Sequence, residues 1–203
     1  MRSIDKHKKI IRAATKVFAQ KGFFNARISD IAKEAKIADG TIYLYFKNKF
    51  DILISVFEEE IGKLIEQTTV LLEQEPEPQK KLEIFIAKHL EEMKKNRHLA
   101  EVIHIELRQT HKLIKEYRKK VFSKYLNILA NIIREGQRKN IFRKDVSPEL
   151  VKQIIFGSLD EISRIWGISN ETEREEISLA EVNTQLTKLF LRGLLISEEH
   201  HNS

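Results

Sequence analysis

The stretch ISDIAKEAKIADGTIYLYFKNKFDIL, residues 28–53, decides the fold. Ser29 stands as a cap before a short helix, Asp30 to Ala35, whose inward residues are Ile31, Ala32 and Ala35. Residues 36–40 make a turn. A second short helix runs from Thr41 to Phe46, with Ile42 and Phe46 four apart and facing inward. Thr41, Tyr43, Leu44 and Tyr45 are left to point outward. Lys47-Asn48-Lys49 breaks this helix, and a long one starts near Phe50. Two short helices across a tight turn form a helix-turn-helix.

The charge around this stretch is lopsided. The chain carries a formal net charge of +6, yet residues 1–50 hold twelve Lys+Arg against four Asp+Glu, and the remainder holds 24 against 26. A local basic field suits a polyanion, nucleic acid first and an acidic membrane surface second; a well-solvated surface is the plainer alternative. Two tyrosines displayed on a basic surface are costly without a partner, and their hydroxyls hydrogen-bond phosphate well. Ser29 offers a hydroxyl beside free backbone N–H groups. Lys47 and Lys49 add point charges. The alternative is a three-helix packing unit whose tyrosines cover a neighbouring helix.

Outward from this stretch the pattern stays helical. Seven glycines and three prolines in 203 residues, with no alternating polar/apolar runs, indicate an all-α chain. A first helix, about Asp5 to Gln20, aligns Ile10, Ala13, Ala14, Val17 and Phe18, and Gly22 suits the left-handed position after it. The helix from Phe50 stops before Pro76-Glu77-Pro78. Beyond it, helical stripes hold Leu82 to Met93, Leu99 to Leu107, Ile114 to Ile133, Val151 to Trp166 and Leu179 to Leu194. Ser147-Pro148 is a strong helix start. The expected organisation is a helix-turn-helix DNA-binding domain over residues 1–49 and a larger helical domain over 50–203.

Several classes are excluded. Cysteine is absent, which removes disulfides and thiol chemistry. There is no bilayer-length apolar run and no signal-peptide pattern, so the expected location is the cytoplasm, with no membrane partner. A Gly-rich phosphate loop, a nucleophile elbow and a metal pair are all missing, so the chain reads as a binding protein and not an enzyme. His89, His98, His104 and His111 lack the i, i+4 carboxylate pairing of a zinc site, so no metal and no cofactor are expected.

Residues 28–53 closely resemble the DNA-binding signature of the tetracycline-repressor (TetR) family. The resemblance rests on Ser29, Ile31-Ala32, Ala35, Gly40-Thr41-Ile42-Tyr43-Leu44-Tyr45-Phe46 and Lys49. It implies that Ser29, Tyr45 and Lys49 grip phosphates, and that Gly40, Thr41, Tyr43 and Leu44 approach base edges or the groove wall. Ala38 departs from a capping serine and Leu44 from a histidine. The resemblance also implies nine helices, a ligand cavity in the larger domain, and a homodimer through the last two helices. The wide apolar faces of those helices fit a four-helix interface. A twofold pair of reading helices requires a palindromic double-stranded operator.

The stretches DGTIYLYFKNKFDILISVF, IELRQTHKL, KYLNIL and IIFGSLDEISRIW are similar to the acyl-CoA-responsive regulators of fatty-acid degradation of Gram-positive bacteria, a branch of the TetR family. That resemblance implies a repressor of β-oxidation genes whose effector is a long-chain acyl-CoA. An acyl chain needs an apolar tunnel. Candidate wall residues are Phe85, His89, Met93, Ile103, Leu107, Tyr125, Leu129, Ile155, Phe156, Leu159 and Trp166, although for any one of them taken singly ordinary core is the stronger reading. Arg108, Lys112 and Lys119 share a face that can hold the phosphates of the head group. The alternative effector is a hydrophobic drug, with the chain controlling an efflux pump; it needs buried carboxylates, and Glu106, Asp160 and Glu161 are the candidates.

Overall fold

The computed structural model describes residues 3–95, 112–168 and 178–196, with side chains for 5–95, 123–167 and 178–196. Those residues form eight helices and no strand: α1 (Ser3–Asn25), α2 (Ile28–Ala35), α3 (Asp39–Ile42), α4 (Lys49–Glu73), α5 (Pro78–Lys95), α6 (Lys112–Arg138), α7 (Pro148–Ile168) and α8 (Leu179–Leu194). The architecture is all-α. The expected helix holding Leu99 to Leu107 lies outside the described residues.

Two compact units are present, one taking in residues 3–63 and 112–122, the other residues 64–95, 123–168 and 178–196. They part inside α4, after Lys63, whereas the sequence pattern places the boundary at its start.

In the first unit, α1 presents Ile10, Ile11, Ala14, Val17 and Phe18, all buried, at helical spacing. α2 packs on α1 through Ile31, Ala32 and Ala35. The alanines let the two backbones approach. Each fully buried Ile or Phe contributes about 1.5–3 kcal/mol by leaving water. Gly22 breaks the helical path of α1 with φ 72° and ψ 155°, a conformation L side chains rarely adopt. The sequence reading ends the helix at this glycine, but the helix resumes beyond it and runs to Asn25. α4 starts on Asn48, whose Oδ1 accepts from the Asp51 amide at 3.0 Å, while the Asp51 carboxylate accepts from the Lys47 amide at 3.0 Å.

In the second unit, α5 opens on Pro78 and packs against α7 and α8. Leu82, Phe85, Ile86, His89, Leu90 and Met93 form its buried face. Glu135 on α6 receives Lys81 at 2.7 Å and Lys139 at 2.8 Å, and Lys139 also donates to the Pro76 carbonyl at 2.6 Å. Gly136 sits against the buried Phe142 ring, which a Cβ at 136 would overlap. Phe142 pairs with Leu195 in an isolated antiparallel bridge, and the Arg143 amide donates to the Leu194 carbonyl at 2.8 Å. α8 starts on Ser178, whose side chain accepts from the Glu181 amide.

Candidate functional site

The 27–49 segment differs from its sequence outline in three ways. The N-cap of α2 is Arg27, in extended backbone, and Ser29 lies inside the helix and exposed. The Asp30 carboxylate, three residues on, accepts from the Arg27 amide at 2.9 Å and closes the end. Ser29 therefore does not cap. The hydrogen bond from Lys21 at 2.7 Å, then that from the Arg27 amide, holds the Asp30 carboxyl below its ordinary range.

The second difference is in α3. It begins at Asp39, two residues before the expected Thr41, and ends at Ile42, four before Phe46. Gly40 is thus helical and not part of the turn. Lys36 takes the left-handed turn conformation, φ 53° and ψ 50°, and its amide bonds back to the Lys33 carbonyl. Residues 43–46 follow as successive turns, with Tyr45 and Phe46 amides both donating to the Ile42 carbonyl at 2.9 and 3.0 Å. Ile42 and Phe46 are buried as expected. Tyr43 is 58% and Leu44 81% exposed. Gly40 and Lys47 are exposed, while Thr41 and Tyr45 are half-buried.

The third difference is Lys49. Its ammonium donates to the Phe24 carbonyl at 3.0 Å and the Ala26 carbonyl at 2.7 Å, and lies 4.6 Å from the centre of the Phe23 ring. It braces the α1–α2 connection, so the phosphate-gripping role implied by the resemblance does not match its position. By contrast, Lys33, Lys36 and Lys47 are exposed and make no ion pair among the described residues. Sequence reasoning missed Arg27, Asp30 and the bracing role of Lys49. An Asp three residues after a cap position was the legible signal for Asp30.

The proposed effector residues split by what can be described. Ile103, Leu107 and Arg108 lie outside the described residues; Lys112 and Lys119 fall on α6, and their side chains lie outside them too. Phe85, His89, Met93, Tyr125, Leu129, Ile155 and Leu159 are buried, and Phe156 and Trp166 half-buried. Four of them meet. Phe85 stacks on Tyr125 at 5.0 Å, and Phe156 stands edge-on to His89 at 5.9 Å and to Tyr125 at 6.5 Å. The Tyr125 hydroxyl and His89 Nδ1 are hydrogen-bonded at 3.0 Å. Burial, with a smaller push from Glu92, raises the Tyr125 phenol far above its ordinary value, so it stays neutral. Of the carboxylates a cationic drug would need, Glu161 accepts from Arg164 at 2.9 Å and Glu106 lies outside the described residues.

On α7 and α8, Leu150, Ile154, Ile165 and Leu189 remain exposed, between 40% and 66%. No described helix is long and apolar enough to cross a membrane, and no cluster of three or more His, Asp or Glu among the described residues could hold a metal.

The profile described as bacterial regulatory proteins, tetR family, matches residues 10–56, and that of the YsiA-like protein C-terminal region matches residues 57–193. The chain belongs to the TetR family of bacterial regulatory proteins. Within that family it is 35% identical over 189 residues to the fatty acid metabolism regulator protein of Bacillus subtilis, covering 93% of this chain and 95% of the relative. The solved structure of FadR from Bacillus subtilis, in complex with stearoyl-CoA, superposes with a TM-score of 0.83 at 35% identity, over 92% of this chain and 98% of that one. FadR from Bacillus halodurans gives 0.85 at 34% identity, over 94% and 97%. The resemblance to fatty-acid regulators therefore extends over nearly the whole TetR-type chain.

Proposed function

We propose that this chain is a homodimeric transcriptional repressor of fatty-acid degradation genes. It holds a palindromic operator and releases it when a long-chain acyl-CoA binds. The observation that carries this reading is the exposed Gly40–Tyr43–Leu44 edge on a unit whose surface lysines 33, 36 and 47 make no ion pair among the described residues, in a chain similar end to end to fatty-acid regulators. Gly40, Thr41, Tyr43 and Leu44 face the groove, and Ser29, Tyr45 and Lys47 face phosphates. Lys49 acts from behind, by fixing the loop before α2.

The dimer forms through α7 and α8, whose exposed Leu150, Ile154 and Leu189 need a cover. The acyl chain lies among the residues around Phe85, Tyr125 and Phe156. The FadR complex with stearoyl-CoA supports this choice of ligand class. The protein works in the cytoplasm by binding alone, without a cofactor or catalysis. Effector and operator oppose each other by one coupling free energy, so each weakens the other by the same factor.

Gel shift on DNA selected by the chain, with an acyl-CoA series added, tests the reading. Each further buried methylene contributes about 0.8 kcal/mol, so release strengthens with chain length until the tunnel is full. A response independent of acyl length removes the acyl-CoA assignment. Binding to no duplex removes the repressor assignment.

A further inference from the structure

α3 has four residues, far too few to be stable by its own hydrogen bonds. Whatever sets the angle of Tyr43 and Leu44 must come from packing on residues 39–46. Ile42 and Phe46 supply the inward anchor. The outer flank has a different support, and it comes from the first turns of α1.

His7 lies three and four residues before Ile10 and Ile11, so it continues the inward stripe of α1 by one turn. Its ring centre is 4.9 Å from that of Phe46, tilted by 31°, and 6.4 Å from that of Tyr45. Its Nδ1 lies 3.8 Å from a Glu59 carboxylate oxygen on α4, an ion pair when the imidazole is protonated. The other Glu59 oxygen holds Lys63 at 3.1 Å. One side chain on α1 therefore touches both the end of the reading turn and α4.

We infer that His7 is a positioning residue for DNA recognition, holding the Tyr45–Phe46 end of the reading turn against α1 and α4. This rests on the reading of residues 39–46 as the DNA-contacting element. Ring contacts at this separation depend on orientation as well as area. An aliphatic side chain of similar volume can fill the seam without setting the tilt of the two rings. The competing account makes His7 filler, in which case leucine serves equally.

The test compares wild type, His7→Leu and His7→Phe as full chains, on a duplex selected in vitro by the wild-type protein. Operator Kd is read by fluorescence anisotropy over a salt series, and Tm is read in parallel. His7→Leu weakens binding about three- to tenfold, and His7→Phe recovers most of that loss. The slope of log Kd against log salt stays unchanged, because His7 holds no phosphate; removing a cation that does would lower it by about one. Equal Kd for wild type and His7→Leu overturns the inference, as does a slope change of that size. So does a loss that matches a fall in Tm and is equal in His7→Phe. If the wild type selects no duplex, the DNA-reading assignment falls as well, and that outcome is distinct from the others.

Discussion

The two compact units differ in how their cores treat polar groups. In the first, the buried polar side chain among the described residues is Thr15, and its hydroxyl donates to the Ile11 carbonyl at 2.9 Å. In the second, Thr68, Ser163 and Thr187 are buried with hydroxyls that have no hydrogen-bond partner among the described residues. Each such group costs about 1–3 kcal/mol relative to a satisfied one. A core whose described polar group is satisfied presents a fixed surface, which suits the reading role proposed for the first unit. A core with bonds left unmade rearranges at lower cost, which suits the ligand-answering role proposed for the second unit.

The sharpest test of that contrast is deletion of a ring from each core. Phe18→Ala in the first unit and Phe85→Ala in the second each lower unfolding free energy by about 3–5 kcal/mol if both sites are equally tight. Chemical denaturation measures both. A Phe85 value near the lower end and a Phe18 value near the upper end sharpen the contrast, and the reverse order breaks it. Tyr43→Ala comes next. The side chain is more than half exposed, so Tm holds while operator affinity falls about tenfold in anisotropy titrations, about 1.4 kcal/mol. Unchanged affinity removes Tyr43 from the interface.

Hydroxyl removal gives a smaller effect of opposite sign in the two units. Thr15→Val loses a made bond and costs about 1 kcal/mol. Thr187→Val removes an unmade one and is neutral or stabilising by thermal denaturation. A clear loss at Thr187 shows that its hydroxyl is satisfied after all. The smallest effect is on the acid limb. Burial pushes the Glu135 carboxyl up, but hydrogen bonds from Lys139 and Lys81 bring it below its ordinary 4.5. Its stabilisation is present above about pH 4.5 and is lost as pH falls through the lower folded value. Glu135→Gln makes the fall in stability below that pH shallower. An acid limb as steep as wild type shows that Glu135 has no part in it.

Most of the helical outline could be read from periodicity, because buried stripes such as Leu82–Phe85–Ile86–His89 repeat at helical spacing wherever the helix is long. The short elements were less legible. α3 is held by Ile42 and Phe46 packing and by Lys36 in the left-handed region, and none of these marks its ends in the sequence. Ser29 has the chemistry of a cap, yet α2 is capped at Arg27 instead, because Asp30 can close back on the Arg27 amide. Lys49 reads as a surface cation until the fold brings the Phe24 and Ala26 carbonyls under it, 25 and 23 residues away. His7 shows the same limit, since its neighbours at 45, 46 and 59 are set by tertiary packing alone.

The split of roles within the 39–46 segment has an evolutionary consequence. Ile42 and Phe46 carry the packing, while Gly40, Tyr43 and Leu44 stand in solvent. Outward positions can be exchanged without disturbing the inward ones. On the proposed reading, drift at these few codons changes what the segment recognises while the packing beneath it is inherited unchanged.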